Sequence, residues 1–469
     1  MRKQLFLLLF LWGWLIVGAR TAWAAGVVGN GDSASCTEAA FTTALRGGGS
    51  VTFACGKNAA TISLSADKVL TTTTQIDGGG KVTLSGGALQ VSPSTTLTVT
   101  NLTIAGSPRA AIVNNGGTVT IKASNFISNS NLSGDGGAIV NQNNGALTIS
   151  TTTFANNRAT NGGAIYSASS ATVLIDDSDF TDNQAANGNG GAILLAAQHS
   201  MVTISKTTFF SNEAAQQDTG AGGALAINEN AQVTLVNDTI VGNHGAGSIN
   251  GGGHALYLKP GALVNATNTT IAYHLFDRGA AAHNFAIWGE GNARLVFANT
   301  LLFDSGCDAN LTSQGHNLTN YSSENCGITN VQNTSFFDMY DTNGGRHITY
   351  MPRKDGPAKD AGDNALCPAI DQRGISRPQG AKCDIGAIEY AVPSISTLSP
   401  AAAMVRGSDF VLTVTGQNLL EGMIVQWNGH DLATTWVSTT QLKAVVPAAY
   451  LTQVGTVTIT VRTPNRQIV

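Results

Sequence analysis

Phe126-Ile127-Ser128-Asn129, followed by Gly136-Gly137-Ala138-Ile139, is the first clear copy of a repeat that decides the fold of this chain. The apolar anchor of the first phrase returns at steps of 28, 26, 29, 31 and 31 residues, ending at Ile271. Phrases of the Gly-Gly-Ala type lie between successive anchors from Phe126 to Ile240. Because two interlocked phrases share one period, the sequence predicts one supersecondary unit copied many times.

Short stretches of alternating apolar and polar residues lie between the phrases, for example Leu147-Thr148-Ile149 and Val202-Thr203-Ile204. A period of two predicts strands whose apolar residues point inward and whose threonines point outward. Gly- and Asn-rich turns separate these strands, and no long helical pattern interrupts them. The sequence therefore predicts an all-β fold built on a right-handed parallel β-helix, with one turn of the β-helix per repeat.

Stacking of the repeats predicts where each recurring residue lies in the β-helix. Successive turns of a β-helix lie roughly 4.8 Å apart, so equivalent residues lie on top of one another. Asn tolerates left-handed turns, and stacked side-chain amides can hydrogen-bond along the stack. We therefore predict an internal aromatic column and an asparagine ladder, which His274 interrupts. The column is Phe126, Phe154, Phe180 and Phe209, and the ladder is Asn129, Asn157, Asn183, Asn212 and Asn243.

The two phrases also support a family resemblance. Over residues 126–274, the alternating Gly-Gly-Ala-Ile and Phe-x-x-Asn phrases resemble the repeats of the polymorphic outer membrane proteins. Those proteins are surface and adhesin-type β-helices. The resemblance implies architecture and leaves the ligand open.

Residues 1–24 have the pattern of a secretory signal. Arg2 and Lys3 form the basic start, an apolar run follows, and Ala22-Trp23-Ala24 supplies small residues for cleavage. The alternative, an uncleaved anchor, is disfavoured because the apolar run is short, and the sequence shows no second span. We predict a secreted protein in the extracellular space or at the cell surface. The formal net charge of −4 gives no reason to expect a nucleic-acid partner.

Six cysteines form three sequence-local pairs. In an exported chain an even number of cysteines favours disulfides, and a zinc site would need closer spacing. The predicted pairs are Cys36–Cys55, Cys307–Cys326 and Cys367–Cys383.

Residues 25–59 are predicted to cap the open end of the β-helix. Ser35-Cys36-Thr37-Glu38 has the form of a capping box, and a short amphipathic helix should follow it. A solenoid needs such a cover over its exposed terminal rung.

The β-helix domain is predicted over residues 60–391, although the repeat fades after residue 274. Later motifs include Gly315-His316-Asn317-Leu318, Asp371-Gln372-Arg373-Gly374 and Cys383-Asp384-Ile385-Gly386. This series resembles the choice-of-anchor Q domain of secreted bacterial β-helix proteins. That family is defined by its fold and by varied surface anchors, with no known reaction. The sequence shows no sorting motif that would predict the means of attachment.

Residues 392–469 resemble an IPT/TIG immunoglobulin-like domain. Alternating stretches such as Val411-Leu412-Thr413-Val414 predict an antiparallel sandwich. Domains of this type usually add a strand after the Thr463-Pro464 turn, and the sequence ends nine residues after Thr460. Two interpretations stay open, an incomplete sandwich and a fragment of a longer chain.

The densest acidic cluster is Asp176-Asp177-Ser178-Asp179. Alignment of the rungs on the phenylalanine column places Asp177 beside Lys206 on an exposed sheet. The catalytic candidates are therefore Asp176, Asp177, Asp179 and Lys206, which could perform acid–base chemistry or bind Ca²⁺. We favour the alternative of an inter-rung ion pair, worth less than about 1 kcal/mol on a solvated face. Two motifs of β-helix enzymes are missing, the polygalacturonase pattern and the arginine motif of the lyases.

Two further clusters of polar residues have both a functional and a structural interpretation. His244 and His254 share one long loop and are the candidates for a metal site, although scattered turn histidines explain them as well. Polar residues at Asp371, Arg373, Arg377 and Asp384 are predicted to form a structural ion-pair network.

Two classes of function follow. The favoured one is a non-catalytic surface protein that presents a rigid β-helix to carbohydrate or to another cell-surface component. The alternative is a carbohydrate-active β-helix enzyme, a polysaccharide lyase or hydrolase acting on extracellular polysaccharide. A purely structural role in the cell envelope stays open as a third interpretation. No cofactor other than Ca²⁺ is implied.

Overall fold

The computed structural model describes residues 26–215, 220–245, 253–274, 285–320, 328–330 and 336–462. The predicted signal lies outside these ranges. Within them, helical structure is confined to the α-helix Glu38–Ala44 and to 3₁₀ turns at Ser33–Ser35 and Ala448–Tyr450. The fold class is all-β, as predicted. No helix in the described ranges has the length and apolar character needed to cross a membrane.

Parallel sheets run the length of the β-helix, and each strand pairs with its equivalent in the next rung. Sheet A contains Gly26–Val28, Gly49–Phe53, Thr74–Asp77, Thr96–Thr100, Thr118–Lys122, Ala146–Ser150, Val173–Asp176, Met201–Ser205, Gln232–Val236, Leu263–Thr267, Arg294–Ala298 and Asn310–Ser313. Sheet B contains Ala60–Leu64, Val82–Gly86, Thr103–Ala105, Asn125–Ile127, Thr153–Ala155, Asp179–Thr181, Thr208–Phe210, Thr239–Val241, Thr270–Ala272, Leu301–Phe303, Leu318–Thr319 and Thr329–Asn330.

Sheet C completes the main wall of each rung, and the short sheet D lines the turn between sheets B and C. Sheet C contains Lys68–Leu70, Leu89–Val91, Ile112–Asn115, Ile139–Gln142, Ile165–Ala168, Ile193–Leu195, Leu225–Ile227, Leu256–Leu258, Phe285–Gly289 and Gly306–Asp308. Sheet D contains Ser130–Asn131, Arg158–Ala159, Gln184–Ala185, Glu213–Ala214 and His244–Gly245.

The interior of the β-helix contains the aromatic column. The rings of Phe126, Phe154, Phe180 and Phe209 are fully buried, with successive centroids 4.9, 4.7 and 4.9 Å apart. Their planes differ by at most 10°. Stacked phenylalanines fill the core with the same contact on each of these four rungs.

The asparagine ladder runs beside this column. The side-chain Nδ2 of Asn129 donates to Oδ1 of Asn157 at 2.9 Å, and this bond recurs up to Asn243. His274 takes the next position, with Nδ1 3.1 Å from the carbonyl oxygen of Asn243 and Nε2 2.9 Å from that of Ile240. Complete burial lowers the pKa of His274 to about 4, so the ring is neutral at neutral pH.

The N-terminal cap follows the sequence prediction except at its first turn. Thr37, not Ser35, is the N-cap of the helix, and its Oγ1 accepts a hydrogen bond from the amide of Ala40 at 3.2 Å. Ser35 instead lies in the preceding 3₁₀ turn. The Glu38 carboxylate reaches the first rungs, where it pairs with Lys68 at 2.6 Å. The predicted capping box is therefore wrong, because Glu38 ties the cap to the β-helix rather than closing on Ser35.

Two of the predicted disulfides are confirmed. Cys36 and Cys55 are bonded with Cα atoms 5.6 Å apart, and Cys367 and Cys383 with Cα atoms 6.6 Å apart. The first joins the start of the cap helix to the end of the strand Gly49–Phe53. For the third predicted pair, Cys307 is buried in the β-helix core, and Cys326 lies outside the described residues.

Residues 336–391, which we call the cover segment, fold back over the outer face of sheet B. It begins with the hairpin Phe337–Asp341 and Thr349–Pro352. The Thr208 hydroxyl donates to the carbonyl of Ile348 at 3.0 Å, and the amide of Ala387 donates to the Thr270 hydroxyl at 2.9 Å. Sheet B is therefore covered on these rungs.

The remaining chain forms an antiparallel sandwich. One sheet contains Ser394–Ser399, Phe410–Gln417, Gln441–Val446 and Ala433–Ser438, and the other contains His430–Asp431, Ile424–Trp427 and Ile459–Arg462. Apolar residues of the two sheets, with Ile375 of the cover segment, form its core.

Candidate functional site

The acidic cluster lies at the sharp turn between sheets A and B. Asp176 ends its strand, Asp177 takes a left-handed conformation with φ of 49°, and Asp179 begins the next strand. The Ser178 hydroxyl is buried and donates to the carbonyl of Asp176 at 2.8 Å. Because Ser178 points inward, the side chains of Asp177 and Asp179 point outward together.

His347 of the cover segment occupies the space between these two carboxylates. Its Nδ1 lies 2.7 Å from Oδ1 of Asp179, and its Nε2 lies 2.9 Å from Oδ1 of Asp177. The side chain of His347 is only 3% exposed. A histidine with a carboxylate at each ring nitrogen donates from both, which requires the imidazolium form.

The charge state follows from these bonds. Burial alone would lower the pKa of His347, but the hydrogen bonds that its ring donates to Asp177 and Asp179 outweigh burial and raise the pKa to about 9. Burial would raise the pKa of Asp177, yet the His347 contact holds it below its usual value. At neutral pH the group is a cation between two anions, which we call the histidine clamp.

Lys206 does not pair with Asp177 as predicted. The register does place Lys206 one rung beyond Asp177, since Asp176 pairs with Ser205 and Phe180 with Phe209. However, Lys206 Nζ contacts Asp176 Oδ2 at 3.0 Å, while Asp177 turns to His347. The prediction of an exposed sheet is also wrong here, because the cover segment lies on it.

In this arrangement the acidic cluster and His347 are poorly suited to general acid–base catalysis. The His347 ring donates both of its protons to carboxylates, and Asp177, with a lowered pKa, is a weak base. Each of the three carboxylates already has one oxygen facing a cation of the protein, His347 or Lys206. The arrangement therefore does not fit a calcium site, and its evident work is to hold the cover segment on the β-helix.

A second, buried network holds the far end of the cover segment. The Arg373 guanidinium contacts the Asp371 carboxylate at 2.7 Å, and Arg377 contacts Glu389 at 2.7 Å, with all four side chains inaccessible. Burial and then the Glu389 charge raise the pKa of Asp384 to about 7. Asp371, Arg373 and Arg377 form ion pairs as the sequence predicted, with Glu389 added, whereas the Asp384 carboxylate accepts hydrogen bonds from the amides of Asp360 and Tyr390.

The two candidate metal-binding histidines do meet. The rings of His244 and His254 stack with centroids 5.4 Å apart, and His244 Nδ1 lies 3.7 Å from a carboxylate oxygen of Glu213. His254 Nδ1 accepts a hydrogen bond from the amide of Gly245 at 3.3 Å. Among the described residues, no set of three or more His, Cys, Asp or Glu side chains is placed to hold a metal ion. Residues 246–252, between the two histidines, lie outside those ranges, so the metal site stays a prediction.

The sequence prediction missed His347 and the cover, although one signal was present. The last residue of each short sheet B strand points outward, and on six of seven consecutive rungs it is apolar. The residues are Ile127, Ala155, Thr181, Phe210, Val241, Ala272 and Phe303, and the last three are buried. An outward column of apolar residues indicates a surface that another segment covers.

Comparison with known proteins supports the architecture. Residues 87–261 match the family described as right handed beta helix region, and residues 393–469 match the IPT/TIG domain. The chain therefore combines a right-handed β-helix with a C-terminal IPT/TIG domain. No curated protein matches the sequence.

Two polysaccharide lyases are among the similar solved structures. Pectate lyase Pel9A has a TM-score of 0.42 at 12% identity, over 78% of this chain and 96% of the lyase. A mutant of the PL6 family alginate lyase AlyGC has a TM-score of 0.33 at 12% identity, over 82% of this chain and 61% of that chain. Because both scores are low, neither similarity bears on function.

Proposed function

We propose that this chain is a non-catalytic protein of the extracellular space or cell surface, whose rigid β-helix binds carbohydrate or another surface component. The observation that carries the proposal is the histidine clamp. It engages Asp177 and Asp179, the best acid–base candidates of the β-helix, in a buried contact with His347. An enzyme of this fold would need such carboxylates to face its substrate.

Export and attachment belong to the same proposal. The predicted signal in residues 1–24 and the disulfides Cys36–Cys55 and Cys367–Cys383 fit an oxidising compartment. The resemblance of residues 275–391 to choice-of-anchor Q domains, and of the repeats to polymorphic outer membrane proteins, supports a place at the cell surface. In this role the cover segment is the closing part of a binding scaffold, and the IPT/TIG domain is a spacer or second contact.

The test compares turnover with binding. The mature protein is incubated with a panel of acidic polysaccharides, and reducing ends and the absorbance of unsaturated products are followed. We expect no turnover, with carbohydrate binding on a glycan array that survives Asp177→Asn. The matched control is Asp176→Asn, which removes the neighbouring carboxylate without touching the clamp. Turnover that disappears in Asp177→Asn and persists in Asp176→Asn would establish the enzyme alternative instead.

A further inference from the structure

The cover segment and the β-helix bring three tyrosines together at the surface. Tyr340 and Tyr350 are cross-strand partners in the hairpin, with ring centroids 5.7 Å apart and planes inclined by 29°. Tyr273 comes from the β-helix, and its ring centroid is 5.2 Å from that of Tyr350. Tyr350 is buried, whereas Tyr340 is 57% exposed and Tyr273 is 39% exposed. We call these three residues the tyrosine cluster. Its buried ring, Tyr350, contacts both exposed rings.

Tyr273 occupies a position that does not suit it. It lies in a column of left-handed turn residues, one per rung, and has a φ of 57°. A bulky aromatic residue is strained in this conformation, which small polar residues and glycine tolerate. The equivalent residues on the preceding rungs are Ser128, Asn156, Asp182, Ser211 and Gly242. A strained residue that is also exposed points to a role outside the fold.

The surroundings of Tyr273 leave room for a ligand. Gly242 precedes it by one rung, and among the described residues a Cβ atom there would meet only the Ser211 hydroxyl, at 3.9 Å. Phe303 packs edge-on against the Tyr273 ring, with centroids 5.2 Å apart, and fixes its orientation. The Tyr273 ring is therefore held in a fixed orientation beside a glycine with no side chain, and is preorganised for contact with a ligand.

The charges nearby select the kind of ligand. Partial burial and then the carboxylate of Asp304 raise the pKa of Tyr273, which places an anion beside the cluster. Asp304 lies one rung beyond Tyr273, since Ala272 pairs with Phe303 in sheet B. Carboxylates accept hydrogen bonds from sugar hydroxyls and repel the carboxylate of a uronic acid.

We infer that the tyrosine cluster is a binding site for a neutral glycan, with one sugar ring stacked on Tyr340 and the chain also contacting Tyr273. The C–H groups of a pyranose carry a small positive charge that is attracted to the negative face of an aromatic ring. The inference rests on the proposed function and narrows it to one surface and one class of ligand.

Affinity electrophoresis of the mature protein tests the site, with hydroxyethylcellulose, galactomannan or polygalacturonate in the gel. We expect retardation by a neutral polymer, and a loss of apparent affinity of about tenfold in Tyr340→Ala, as expected for one stacked ring. Tyr340→Phe keeps the ring and should keep most of the affinity. Tyr450→Ala is the matched control, since Tyr450 is an exposed tyrosine of the sandwich.

Tyr273→Asn separates binding from stability. Asn suits the left-handed turn, as it does at the equivalent position 156, so the variant should melt at a higher temperature than wild type while binding more weakly. A purely structural tyrosine would not give this combination of effects.

Three results would overturn the inference: no retardation by either neutral polymer, retardation by polygalacturonate alone, or tyrosine variants that bind as wild type does. In the last case the wild-type protein still binds the neutral polymer, so the proposed function would stand and the binding site would lie elsewhere on the protein. Turnover of a polymer would instead overturn the proposed function.

Discussion

Replacing His347 by glutamine should remove the part of the protein's pH-dependent stability that His347 contributes between about pH 6.5 and 9. His347 has a pKa of 6.5 in an unfolded chain and about 9 in the clamp. Each unit of pKa corresponds to about 1.4 kcal/mol, so the clamp contributes about 3 kcal/mol to stability when the histidine is charged. Because the folded pKa is the higher one, this contribution is complete below about pH 6.5 and is lost as the pH rises through 9.

Urea unfolding followed by far-UV circular dichroism measures the effect at about pH 6 and about pH 9.5. At the lower pH, His347→Gln should be less stable than wild type by about 3 kcal/mol, because it leaves two covered carboxylates without their cation. At the higher pH the difference should nearly vanish. Asp384, with a pKa raised to about 7, also titrates in this range, but it does so in both proteins and cancels in the comparison.

His199→Gln is the control, since His199 is an exposed turn residue away from the clamp. It should follow wild type at both pH values. A difference between His347→Gln and wild type that is the same at both pH values would refute the charged clamp. It would mean that His347 holds the cover segment by packing alone.

Three further predictions concern the scaffold. His274→Asn should stabilise the protein by about 1 kcal/mol. The neutral imidazole has one N–H for two carbonyl neighbours, so a lone pair faces one of them, whereas the amide of Asn would donate to the Ile240 carbonyl. A lower melting temperature would contradict this. Phe154→Ala should cost about 3–5 kcal/mol by opening a cavity in the aromatic column, whereas Ile127→Ala, at an outward position, should cost much less in the same urea titration. Removing both Cys367 and Cys383 should cost about 3 kcal/mol for the loop of 16 residues that they close, and unchanged stability under reducing and oxidising conditions would show that this bond does not constrain the unfolded chain.

The repeat could be predicted in detail because its signals are local. Each rung carries the same anchor, turn and Gly-Gly phrase, and hydrogen bonding between parallel strands permits one register. The predicted alignment of Phe154 with Phe180 and of Asp177 with Lys206 is therefore the observed one. The sequence places the capping residue two positions early because Ser35 and Thr37 both suit an N-cap, and only the structure shows Thr37 accepting the Ala40 amide while Glu38 pairs with Lys68.

The sequence by itself determined the architecture: a β-helix, its aromatic column and asparagine ladder, two of its disulfides, and a C-terminal sandwich. These depend on interactions between neighbouring rungs, and periodicity makes those interactions visible. Only the tertiary structure determined which residues contact the acidic cluster, because His347 lies 170 residues beyond Asp177 and no repeat relates the two. The same holds for Tyr273 and Tyr350, which meet only after the cover segment folds back. Contacts of this kind depend on shape and charge across a surface, and that surface exists only once the β-helix has formed.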